Sequence, residues 1–140
     1  MINSKDVIRM LVPYPDISSG LALNAHMYIC KDSIHPQYSY VKCVSFKPYM
    51  LTKNPHKHFI DEFPDLSRNP FLRQTRIDCD KLFITSSVQY ADCMKTTTRP
   101  DICDELFSSV DTELMADGYI PISLNETELV SLNSGITFCI

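Results

Sequence analysis

Glycine is scarce, three residues in a chain of 140, and none of the glycine-rich phosphate fingerprints, GxGxxG or GxxxxGK[ST], is present. HExxH and GxSxG are missing too, so nucleotide-cofactor enzymes, P-loop enzymes, zincins and α/β-hydrolases all lack their signatures. No apolar run reaches the roughly 20 residues that span a bilayer. Residues 1–20 carry prolines and acids where a secretory leader has its hydrophobic segment. A cytoplasmic protein without membrane contact is the expectation. The chain also lacks a surplus of Lys and Arg: its formal net charge is −4, which excludes nonspecific coating of nucleic acid but not a local basic groove. CxxC pairs are absent, and the six cysteines (Cys30, Cys43, Cys79, Cys93, Cys103, Cys139) are scattered, which reads as reduced core thiols. His56 and His58 flank Lys57 without a third ligand nearby, so neither a metal nor another cofactor is expected.

What is present fits one globular domain. Hydrophobic residues make up 44% and charged residues 21%, near the globular average. Nine prolines fall mainly between apolar runs, as in strands separated by proline-punctuated loops. Residues 6–14 (DVIRMLVPY) predict a first strand closed by Pro13 and Pro15, and 21–30 (LALNAHMYIC) a largely buried second one in which Asn24 and His26 stand out. Residues 38–46 (YSYVKCVSF) alternate as a strand does. Residues 52–70, with three prolines and two histidines, predict a long loop, and 71–85 one or two short strands with a turn near 78–81. A helix is expected to start at 98–100, with Ile102, Leu106, Phe107, Val110 and Leu114 on its apolar stripe, and to stop at Gly118. Asn125 followed by Glu128 predicts a cap for a short helix over 126–132, with an edge strand over 136–140. The fold class is thus mostly β with a C-terminal helix, α+β.

The order strand, loop, two strands, long loop, strand pair and helix resembles the MazF/PemK-like toxin family. Residues 69–83 (NPFLRQTRIDCDKLF) and the helix 101–114 (DICDELFSSVDTEL) carry the closest local likeness. The resemblance implies an SH3-like small β-barrel with a closing helix over 1–118, and leaves 119–140 as a C-terminal extension packed on the same domain. It implies a metal-independent endoribonuclease acting on single-stranded RNA, a homodimer, and a small antitoxin peptide as partner.

Ser45 stands where the family has a hydroxyl residue, and a hydroxyl can donate to a phosphate oxygen as negative charge builds on it. The competing reading is an ordinary strand serine. At the family's Arg-Pro pair this chain has Asn24-Ala25, which offers hydrogen bonds but no guanidinium. His26 is a candidate general acid or base, set against a structural histidine in an apolar strand. Arg76 completes the catalytic candidates. Lys53, His56, Lys57, His58 and Arg73 are candidate RNA contacts, with Phe59 as a stacking face; the alternative is a solvated loop neutralised by Asp61, Glu62 and Asp65. One of Arg73 and Arg76 is expected to pair with Asp78 or Asp80. A catalytically inactive barrel serving as a protein- or nucleic-acid-binding module, of phage or mobile-element origin, is the second reading; a structural domain assembled through 119–140 is the third.

Overall fold

The computed structural model describes residues 1–140. Its main sheet is open and mixed, and it forms because the apolar runs alternate. β1 (Val7–Met10), β2 (His26–Ile34), β3 (Gln37–Ser45), β4 (Phe59–Glu62) and β5 (Thr75–Thr85) pair antiparallel in the order β1-β2-β3-β5-β4. β7 (Ile120–Ser123) adds parallel to the second half of β5, and β6 (Val88–Tyr90) with β8 (Ile136–Phe138) makes a separate two-stranded sheet. The α+β expectation therefore holds.

Alternation along the strands divides the core in two. Val7, Ile29, Val41, Ile77 and Cys79 face α2 (Asp104–Met115), which covers them with Leu106, Val110 and Leu114. Ile8, Met10, Tyr28, Tyr40 and Phe83 face the other way, where Leu124, Leu129 of α3 (Glu126–Leu132) and Ile136 close over them. Burying each such side chain contributes about 1.5–3 kcal/mol. Residues 119–140 thus supply the cover of one sheet face. Asn133 fastens them to the chain end of β1: its amide accepts from Leu11 N and donates to Leu11 O, both at 2.8 Å.

The helix expected from 98 starts at Asp104 because the preceding segment is used elsewhere. Residues 95–102 run along the free edge of β1, with bridges Ile8 to Lys95 and Asp6 to Asp101 and a bond from Val7 N to Pro100 O of 2.8 Å. That covering blunts an exposed strand edge. Cys103 then caps α2, its Sγ accepting from Leu106 N at 3.4 Å. Residues 21–30 also divide: a single helical turn, α1 (Gly20–Leu23), precedes β2. The long loop contains β4, which pairs Phe59 with Asp78 and Glu62 with Thr75.

No turn forms near 78–81. β5 continues through this segment, with an irregularity against β3 where Lys42 pairs with Asp78 and Tyr40 with Phe83; Asp78 accepts from Asp80 N at 2.9 Å, and Asp80 accepts from Lys57 N and His58 N of the loop before β4 at 2.9 and 2.8 Å. All six thiols are free, with Cys30, Cys43 and Cys79 buried. Burial pushes the Cys30 and Cys79 thiols up to about 12, which keeps them protonated and unreactive.

Candidate functional site

Three of the four expected catalytic residues, Asn24, His26 and Ser45, lie at one end of the main sheet. His26 opens β2, and since Met27 pairs with Cys43, it lies beside the end of β3, where Ser45 is the last residue. His26 and Ser45 line two common clefts, of about 200 and 390 Å³. Asn24 shares a third with His26, of about 540 Å³. All three residues reach solvent: Asn24 is exposed, and His26 and Ser45 are half-buried.

Asn24 acts on His26 through its main chain. His26 Nδ1 lies 2.8 Å from Asn24 O. A carbonyl only accepts, so Nδ1 carries the proton in that bond and Nε2 of the neutral ring presents a lone pair. The bond sets both the tautomer and the ring orientation, as required of a general base.

Cations from other elements line these clefts. Arg9 of β1 pairs with Met27 in the sheet and lines the 200 Å³ cleft with Arg73, His26 and Ser45. Lys42, Lys47 and Tyr49 join His26 and Ser45 in the 390 Å³ cleft. Arg9, Lys47 and Arg73 make no ion pair with any carboxylate. Tyr49 is 56% exposed, an aromatic face beside a free cation. The cleft of about 530 Å³ next to Arg9 continues this belt, sharing Arg9, Met27 and Leu72 with the Ser45 cleft. Not one Asp or Glu lines any of the four clefts.

Arg76 is not a catalytic group in this arrangement. Its side chain is 2% exposed, and its Nε and Nη2 donate to Asp61 Oδ1 and Oδ2 at 2.8 and 2.9 Å. Nη1 donates to Asn54 Oδ1 at 2.7 Å, and the guanidinium stacks 3.8 Å from the Phe59 ring centroid. Its carboxylate partner is thus Asp61, neither Asp78 nor Asp80, and Phe59 is occupied. The physical reason is register: Asp61 lies opposite Arg76 across the β4–β5 ladder.

The basic loop separates similarly. Lys53 is exposed and unpaired, and it lines none of the four clefts. Lys57 pairs with Asp117 at 3.2 Å, and His58 lies 3.0 Å from Asp117 and 3.5 Å from Glu113, so both side chains are held by acids at the end of α2, away from the belt. His56 turns inward. Its side chain is 9% exposed, with Nε2 3.5 Å from Asp78 Oδ2, and Lys42 Nζ lies 3.4 Å from the same oxygen. Burial, more than any charge, holds the His56 ring below its ordinary pKa, so it is Lys42 that balances Asp78 near neutrality. His56 Nδ1 and Asp78 Oδ2 are buried without a hydrogen bond.

Sequence reasoning missed Arg9, Lys42, Lys47 and Tyr49. Lys47-Pro48-Tyr49 did carry a local signal, a cation and an aromatic just past a strand end; Arg9 carried none, because only strand pairing places it. Comparison with family models, with curated proteins and with solved structures gives no match.

Proposed function

We propose that this chain is a MazF/PemK-like toxin component, a metal-independent endoribonuclease that binds single-stranded RNA in the belt around His26 and Ser45. The carrying observation is electrostatic: on a chain of net charge −4, the clefts around these two residues are lined by the unpaired cations Arg9, Arg73 and Lys47 and by no carboxylate. Phosphates need such a lining, and exposed Tyr49 adds the stacking face that single-strand binders combine with it. RNA supplies its own nucleophile. Nε2 of His26 takes the proton of a 2′-hydroxyl as that oxygen attacks the adjacent phosphorus; the bond to the 5′-oxygen breaks as that oxygen takes a proton from solvent water, leaving a 2′,3′-cyclic phosphate and a 5′-hydroxyl, and the His26 proton returns to solvent. Ser45 donates to a phosphate oxygen as charge builds, and Arg9 and Arg73 stand in for the guanidinium that Asn24-Ala25 lacks.

The SH3-like barrel belongs to this proposal. Its support is four consecutive antiparallel pairings with irregularities at Cys30/Asp32 and Tyr40/Lys42, features that bend and twist a sheet. A homodimer and a small acidic antitoxin peptide follow from the same resemblance, and an acid-free belt is what an acidic peptide would complement. The second reading, a binding module without catalysis, rests on Asn24-Ala25.

Purified protein incubated with long single-stranded RNA in EDTA separates the two. Cleavage is expected, with His26→Ala slowing it about 10²–10⁴-fold and Arg9→Ala and Ser45→Ala also slowing it. RNA binding without cleavage moves the protein to the module reading, and neither binding nor cleavage removes both RNA roles.

A further inference from the structure

The 530 Å³ cleft beyond Arg9 is built, Arg9 apart, from side chains to which the His26 and Ser45 chemistry assigns no role. Met27, Leu72 and Met94 form its apolar side, and Leu72 is 71% exposed at the junction with the Ser45 cleft. Its polar side includes Arg9, Thr97, Thr98 and Ser134, together with Lys95, which is paired with Asp6 at 3.4 Å. Thr97, Thr98 and Ser134 are exposed and their hydroxyls bond to nothing within the chain, whereas Thr96 beside them is buried and bonds to Arg99 O and Val7 O. The C-terminal wall is fixed in place: the Asn133 amide is fully engaged, donating to Leu129 O at 2.9 Å besides its two bonds to Leu11.

We propose that this cleft is a nucleotide subsite, created by residues 95–98 and 132–135, which takes one further nucleotide of the RNA strand lying in the Ser45 groove. It rests on the RNA reading of that groove. The apolar side suits a base, and the free hydroxyls with Arg9 suit the phosphate and ribose. Its size, about 530 Å³, lies within the usual range of small-ligand pockets. Arg9, common to both clefts, reads two successive phosphates. Residues 119–140 therefore lengthen the strand footprint as well as close the core.

The test measures binding of single-stranded RNAs of about 4 and about 10 nucleotides, lengths that bracket the shorter site sizes of strand-binding domains. Thr98→Asp and Ser134→Asp place a carboxylate in the acid-free cleft at exposed, uncontacted positions, and circular dichroism checks their fold. Both variants are expected to lose about tenfold affinity for the longer RNA and none for the shorter, while Arg73→Ala loses affinity for both. Equal binding of the longer RNA by wild type and both Asp variants overturns the subsite. If wild type binds neither RNA, the groove reading fails, and adenosine 5′-monophosphate followed by amide NMR decides the subsite separately. Shifts at Thr97, Thr98, Ser134 and Gly135 that Ser134→Asp abolishes retain it as a mononucleotide site; no shift at saturating nucleotide removes it.

Discussion

Replacing Arg76 by Met tests whether this guanidinium acts in structure or in catalysis. The methionine keeps most of the stem volume but removes two charge-assisted bonds to Asp61, one to Asn54 and the stack on Phe59. The Asp61 carboxylate, 26% exposed, is then left facing a pocket that no longer holds a cation. Removing one partner of a buried pair costs about 3–5 kcal/mol; the partial exposure of Asp61 places this case at about 3. In urea, with a slope of about 1–3 kcal/mol per molar, the midpoint should fall by roughly 1–3 M. Asp61→Ala should cost about as much, since it strands an arginine that is 2% exposed. The double variant should cost less than the sum by about 1–3 kcal/mol, because the two side chains form one unit. An Arg76→Met protein that unfolds like wild type but no longer cleaves RNA would refute this reasoning and return Arg76 to the catalytic group.

Other expectations follow from the same geometry. His56 is held below its ordinary pKa by burial, with Asp78 opposing and Lys42 and Arg76 reinforcing the shift; the unfolded chain therefore binds the proton first, and stability should fall as pH drops below about 6.5, by no more than about 1.4 kcal/mol per unit. Urea midpoints between roughly pH 7 and 5 should show that slope in wild type and a flatter one in His56→Gln. Asn133→Ala leaves Leu11 N and O without their side-chain partner, at a cost of about 1–3 kcal/mol, and hydrogen exchange should show residues 119–140 losing protection first. With Arg9, Lys47 and Arg73 as the unpaired cations of the Ser45 clefts, the logarithm of RNA affinity should fall against the logarithm of salt with a slope of about −2. A slope near zero would exclude phosphate contacts there.

Local patterns were legible wherever one segment decides its own structure. The α3 cap is one case: Asn125 Oδ1 accepts from Glu128 N at 3.1 Å, as the spacing implied. The α2 stripe is another, with Leu106, Val110 and Leu114 buried on one face. Its start was not legible, because the edge of β1 draws residues 95–102 into pairing before a helix can begin. β4 was hidden by its brevity and flanking prolines, and Asp78 and Asp80 read locally as turn residues, whereas the Asp78 carboxylate binds Asp80 N within β5 and the Asp80 carboxylate binds Lys57 N and His58 N of the loop before β4. In the site, His26 and Ser45 were visible as polar residues in or beside apolar strands. The roles of His56 and Arg76 were not, because each depends on a partner from another element, Asp78 and Asp61.

Net charge conceals how the charges are distributed. The acids of α2 and its end, Asp104, Asp111, Glu113 and Asp117, are paired with or close to Lys5, Lys31, His58 and Lys57, on or around the helix that covers one sheet face. The unpaired cations Arg9, Lys47 and Arg73 gather instead at the strand ends around Ser45. At physiological salt a charge is felt over about 8 Å. A polyanion at a distance therefore meets a weakly repulsive molecule and is attracted only once it enters the belt. On the proposed RNA reading, this arrangement would disfavour coating of duplex surfaces and favour a strand thin enough to lie within the clefts, so an acidic composition is compatible with a single-stranded ligand.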